Sequence, residues 1–188
     1  MSTFASTRSL VKNGTAHLQT RQAEDDQAKI MIDGTRIRVR EVQIMTTEDE
    51  VRKASEQFYA ALNRMTKGDS GALADIWSHG AAVTAMHPIG GREVGWDAVR
   101  ASFDRVAQLA SDGRVELKDQ LIRVAGNVAY ETGVEHGQVT LAGYDATIEH
   151  RVTNIYQQEG GAWRLVHHHT DTSPAMLDIL SRLQPPSG

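Results

Sequence analysis

The sequence predicts an α+β fold in which a curved antiparallel sheet wraps three helices that precede it in the chain. Two observations carry this prediction. Helical periodicity of apolar residues dominates residues 47–110, and strand-like alternation dominates 115–170. The strands are separated by short turn signals such as Ala125-Gly126-Asn127 and Glu159-Gly160-Gly161, as expected of neighbours joined by tight connections. Helices first and a run of strands afterwards pack as helices on one face of a sheet.

Residues 1–44 differ from the rest of the chain. They are polar and poorly patterned, and their one plausible element is a hairpin over Lys29–Val39 turning at Asp33-Gly34. An isolated hairpin is marginal in water, so this arm is expected to be flexible. The folded domain is expected over 45–183, with 184–188 as a tail.

The first helix begins at Thr47, which with Glu50 has the spacing of a capping box. Val51, Ala54, Phe58, Ala61, Leu62 and Met65 fall on one face, and Lys67-Gly68 ends the helix. A short second helix is capped by Asp69 or Ser70 and buries Leu73, Ile76 and Trp77. Ala82–Met86 reads as a strand and His87–Gly91 as a loop. The third helix runs from about Trp96 to Ala110 and buries Val99, Phe103 and Val106. Strands follow over Val115–Val124, Val128–His136, Gln138–Ile148, Glu149–Gln157 and Ala162–Thr170, and Pro174 starts a short C-terminal helix.

The chain has 188 residues, enough for one domain with a substantial core. Its net charge of −4 and lack of a basic block argue against nucleic-acid or anionic-membrane binding. No apolar run approaches the ~18 residues of a membrane span. The absence of cysteine excludes disulfides and thiol nucleophiles and fits a cytoplasmic location.

The order of elements and three motifs resemble the SnoaL-like group of the nuclear transport factor 2-like superfamily. The motifs are Phe58-Tyr59-Ala60-Ala61-Leu62-Asn63, the stretch from His87-Pro88-Ile89-Gly90-Gly91 through Trp96-Asp97-Ala98-Val99, and Gly161-Ala162-Trp163-Arg164-Leu165-Val166-His167-His168-His169. The resemblance covers roughly 47–175. It implies a cone-shaped domain with a pocket at its open end, a small apolar or semi-polar ligand, and a homodimer. The superfamily includes ketosteroid isomerases, polyketide cyclases, dehydratases and a kinase association domain, so the fold does not fix the function. Carried onto this chain, the base position of the isomerases holds His87 before Pro88-Ile89-Gly90, and their oxyanion-hole tyrosine is replaced by Phe58. Tyr59 is next door, about 100° around the helix. Two arginines of the kinase association domain correspond to Asn154 and Thr170, which removes both charges.

His87 is therefore the candidate acid/base, because a group with an ordinary pKa near ~6.5 can take and give protons at neutral pH. The alternative is a histidine that caps a strand end. Phe58, Trp77, Met86, Trp96, Phe103 and Tyr130 are candidate pocket walls, with core packing as their ordinary role. Alternation puts His167 and His169 on one strand face and His168 on the other. His167 and His169, with Arg151, are the candidate polar members of the pocket. A metal site needs three or four convergent ligands, and no spacing here demands one. No metal and no cofactor is expected. The leading expectation is a small-molecule-binding protein. An enzyme of isomerase, cyclase or dehydratase type using His87, and an oligomerisation module, are the alternatives.

Overall fold

A computed structural model describes residues 29–32 and 35–38 and residues 45–183. The first two segments are strands β1 (Lys29–Ile32) and β2 (Thr35–Arg38), paired antiparallel with Ile30 opposite Ile37. The hairpin and residues 45–183 belong to two separate units. The rest of the arm and the tail lie outside the described residues.

Helix α1 (Thr47–Met65) is capped one residue earlier than the spacing suggests. The Thr46 hydroxyl accepts from the Asp49 N–H, and the Asp49 carboxylate accepts from the Thr46 N–H, so two otherwise unpaired amides are satisfied reciprocally. Its inner face buries Val51, Ala54, Phe58, Leu62 and Met65. The expected second helix is a single 3-10 segment, Gly71–Asp75. Helix α2 (Trp96–Leu109) buries Val99, Ser102, Phe103 and Ala107. Helix α3 (Pro174–Leu183) follows the sheet and buries Met176 and Ile179. Not every helix therefore precedes the strands.

The sheet has six strands: β3 (Thr84–His87), β4 (Gly90–Val94), β5 (Ala110–Ala125), β6 (Val128–Leu141), β7 (Tyr144–Glu159) and β8 (Ala162–Thr170), in the order β4-β3-β8-β7-β6-β5. It is mixed, whereas the strand pattern predicts an antiparallel sheet. β3 runs parallel to β8, with Thr84 opposite His167 and Met86 opposite His169. The expected loop after His87 is a hairpin, with Gly90 and Gly91 at φ of 84° and 83°.

The middle strands also differ from the reading by local pattern. Gly137 does not end a strand, because β6 runs on to Leu141 and turns at Ala142-Gly143. Residues 138–141 therefore finish β6, and 144–159 form one long β7. Gly137 instead permits close approach: a Cβ there would lie 1.9 Å from the Arg114 carbonyl oxygen. Gly133 allows a similar approach to Leu117 and the Lys118 carbonyl. Register shifts in β5 between Ser111 and Arg114, next to the Gly137 pairing, and between Lys118 and Leu121, across from Gly133, bend the sheet. The inner face of the bent sheet meets α1 and α2 around a core containing Phe58, Trp77, Val99, Ile122, Tyr156 and Leu165.

Candidate functional site

A pocket of about 100 Å³ lies between the inner face of the sheet, α1, α2 and α3. Its walls are almost wholly apolar and include Leu62, Met65, Phe103, Val139, Leu141 and Met176. Four ionisable side chains interrupt them: His87 from β3, Glu135 from β6, His150 from β7 and His168 from β8. All four are buried, at 7%, 4%, 6% and 3% exposure. Among the described residues no lysine or arginine lines the cavity.

β6 and β7 deliver their polar residues by simple alternation. On β6 the inward series is Ala129, Glu131, Gly133, Glu135, Gly137, Val139 and Leu141. On β7 it is Ala146, Ile148, His150, Val152, Asn154 and Tyr156. β8 departs from alternation. Trp163 and Leu165 face inward, but the register with β7 shifts between Ile155 and Tyr156 and leaves Val166 as an extra residue. The bulge flips the phase, so His168 and Thr170 point inward.

His87 bonds Ser102 through Nε2 at 2.8 Å, and the Ser102 hydroxyl donates to the Val99 carbonyl at 2.6 Å. Ser102 has one proton and uses it on Val99, so His87 is the donor and carries its proton on Nε2. Burial, followed by the charges of His168 and Arg105, pushes the His87 pKa down to about 4. The ring is neutral at physiological pH and keeps a lone pair on Nδ1. Phe103 meets it edge-on at 4.9 Å between centroids.

His168 is set by a longer chain. Its Nδ1 lies 2.8 Å from Asn154 Oδ1. The Asn154 amide nitrogen donates to Glu131 Oε2 at 2.8 Å, which fixes which end of the amide faces the histidine. Glu131 is fully buried and also accepts from Gln120 Nε2 at 2.6 Å and the Tyr156 hydroxyl at 3.2 Å. His168 therefore holds its proton on Nδ1. Burial is the main reason that its pKa falls to about 4.

Glu135 accepts from Tyr59 Oη at 3.1 Å and from His150 Nε2 at 2.9 Å. Burial alone would raise the pKa of this carboxyl group. The bond from His150, the interactions with His168 and His150, and the bond from Tyr59 outweigh it, and the net shift is downward. The Tyr59 pKa is pushed up by burial and by the Glu135 and Glu131 charges, so its proton stays on the oxygen. His150 Nδ1 is buried and has no hydrogen-bond partner among the described residues.

Of the residues singled out from the sequence, His87 and Phe103 line this pocket. Phe58 is fully buried behind it, 5.3 Å from the His168 ring. Trp77 lies in the core between Trp96 and Phe103. Trp96 is half-buried and stacks on His79 at 4.5 Å. Met86, Tyr130, Arg151, His167 and His169 are on the other face of the sheet. Tyr130 is 46% exposed, and Arg151 is in an exposed ion pair with Asp171 at 2.8 Å. His167 bonds the Thr84 hydroxyl at 2.7 Å, and its ring lies 6.0 Å from that of His169. The pocket histidine of the last strand is thus His168, a correction whose cause is the Val166 bulge. Sequence reasoning misses Glu135, His150 and Tyr59 as well. The available signal is the phase that Glu131 and Glu135 share with Ala129 and, once β6 is read through Gly137, with the apolar Val139 and Leu141. Among the described residues no group of three or more His, Cys, Asp or Glu side chains is arranged to hold a metal ion. No described helix is long and apolar enough to cross a membrane.

A bent sheet closing on helices around an apolar pocket with a polar floor defines the nuclear transport factor 2-like class. Residues 51–175 match the SnoaL-like domain model, and the chain belongs to that family. No curated protein matches it. Solved structures share the fold at low identity. A candidate dehydratase of the NTF2-like family from Streptomyces avermitilis is 23% identical, with a TM-score of 0.60 over 68% of this chain and 96% of that one. An NTF2-like protein from Cytophaga hutchinsonii is 13% identical, with a TM-score of 0.56 over 69% and 100%. The CaMKII hub of S. rosetta is 19% identical, with a TM-score of 0.55 over 69% and 98%.

Proposed function

We propose that the pocket binds a small, mostly apolar molecule and that His87 exchanges a proton with it, in chemistry of the isomerase, cyclase or dehydratase class. One observation carries this reading: a neutral imidazole with a free ring nitrogen lines a cavity whose walls are otherwise nearly all apolar, beside a buried Glu135–His150 pair. Isomerisation of the ketosteroid kind is not supported. Phe58 has no donor, and the Tyr59 proton is already given to Glu135, so an enolate oxygen would find no stabilising hydrogen bond.

The homodimer belongs to the same proposal. The outer sheet face exposes Leu121 at 41% and Tyr130 at 46%, apolar surface that a second copy would cover, and sedimentation velocity distinguishes dimer from monomer.

The test of the catalytic reading uses small apolar alcohols that can lose water to give an alkene, followed by NMR for that loss. His87→Gln keeps polarity and removes the titrating group. It is expected to slow the reaction by about 100-fold or more, the usual worth of a general base. Equal rates for the variant and the original protein would sink the role given to His87.

A further inference from the structure

The protons around the pocket can be counted one by one. His87 donates its Nε2–H to Ser102, and Ser102 donates its hydroxyl proton to Val99. His168 donates Nδ1–H to Asn154. His150 donates Nε2–H to Glu135, and Tyr59 donates its hydroxyl proton to the same carboxylate. The Asn154 amide protons go to Glu131 and Tyr59. Every one of these donors is used within the protein, and none is left for a ligand.

Free acceptors remain. His87 Nδ1 and His168 Nε2 form no hydrogen bond among the described residues. His150 Nδ1 is a third ring nitrogen without a partner among the described residues, on a buried side chain that lines the cavity. A polar atom left unpaired in an apolar cavity is unfavourable, so the open His87 Nδ1 and His168 Nε2 favour a ligand that pairs with them. The Glu135 carboxylate, with no lysine or arginine in the lining among the described residues, sets the sign of the potential against an anion.

We infer that the pocket selects a small apolar molecule bearing a hydroxyl group, which donates to a histidine ring nitrogen, and that it discriminates against carbonyl and carboxylate analogues of the same shape. The cavity, about 100 Å³, suits a single ring or short chain, well below the roughly 300–1,000 Å³ of sites for larger ligands. This inference rests on the small-molecule reading of the pocket and narrows its substrate to alcohols. A site whose polar groups demand a hydroxyl rejects an analogue lacking it far more strongly than an apolar wall rejects a methylene.

Four probes of matched shape test it on the full-length protein: cyclohexanol, cyclohexanone, cyclohexanecarboxylate and methylcyclohexane. Binding is read by titration of the ring 15N signals of His87, His150 and His168. Cyclohexanol is expected to bind at least about tenfold more tightly than cyclohexanone, the equivalent of ~1.4 kcal/mol, with the carboxylate weakest, and to move at least one of the three free-nitrogen signals. Cyclohexanone or the carboxylate binding as tightly as the alcohol would overturn the hydroxyl preference while leaving the pocket reading intact. So would cyclohexanol binding that moves none of those signals. Failure of all four probes to bind would overturn the small-molecule reading itself, and this inference with it. In His150→Gln the alcohol preference is expected to shrink. Should that variant misfold, the wild-type series and its 15N shifts still decide the matter.

Discussion

Acidification from about pH 7 to about pH 4 is expected to destabilise the domain by on the order of 6 kcal/mol, on the order of 3 kcal/mol from each of His87 and His168. Both rings are buried as neutral imidazoles, and each folded pKa is held near about 4 against an ordinary value of 6.5. Between those values the unfolded chain binds protons that the folded chain refuses. Stability from this source is complete above about pH 6.5 and is lost as the pH falls towards 4. Glu135 acts lower on the scale. Its pKa is depressed from 4.5, so its contribution persists above the unfolded value and fades only below it. The interval from about pH 6.5 to 4.5 therefore isolates the histidines. Urea midpoints across this interval should fall steadily, and His87→Gln should remove about half of the slope. A flat profile would mean that the two rings are hydrated or already paired with charge.

The second large effect is expected at Glu131. This side chain is fully buried and accepts three hydrogen bonds, from Gln120, Asn154 and Tyr156. Glu131→Ala strands all three donors where water cannot reach them. Each orphaned group costs about 1–3 kcal/mol, so a loss of about 3–5 kcal/mol is expected by chemical denaturation even after partial relaxation. A loss under about 1 kcal/mol would show that Asn154 and Tyr156 find other partners, and the orientation given to the Asn154 amide would lose its support.

Much of the architecture is legible in the sequence because local pattern and global fold agree. α1 declares itself through Val51, Ala54, Phe58, Leu62 and Met65, and the last hairpin through Glu159-Gly160-Gly161. His87 is placed by its motif. The rest of the polar floor is harder to read, for two physical reasons. Phase in a strand holds only while the ladder is regular, and Val166 is an apolar residue whose bulge leaves no mark in the sequence. Counting in twos from Trp163 and Leu165 then sends His167 and His169 inward, when His168 is the residue that turns there. Gly137 misleads in the opposite sense. It looks like a turn, but its missing side chain serves the close approach of β5 to β6, and breaking the strand there hides that Glu131 and Glu135 share the phase of Val139 and Leu141. The parallel pairing of β3 with β8 joins residues 83 positions apart, such as Thr84 and His167, and depends on how the helices return the chain to the far edge of the sheet.

The chemistry of the pocket depends most on two neutral imidazoles with opposite tautomers facing an apolar cavity. Ring 15N NMR of the histidines at about pH 7 tests this directly. His87 is predicted to carry its proton on Nε2 and His168 on Nδ1, with one unprotonated nitrogen in each ring and neither ring titrating until the pH falls to about 4. A positively charged ring at neutral pH, or a midpoint near 6.5 as for an exposed histidine, would contradict the acid–base role proposed for His87.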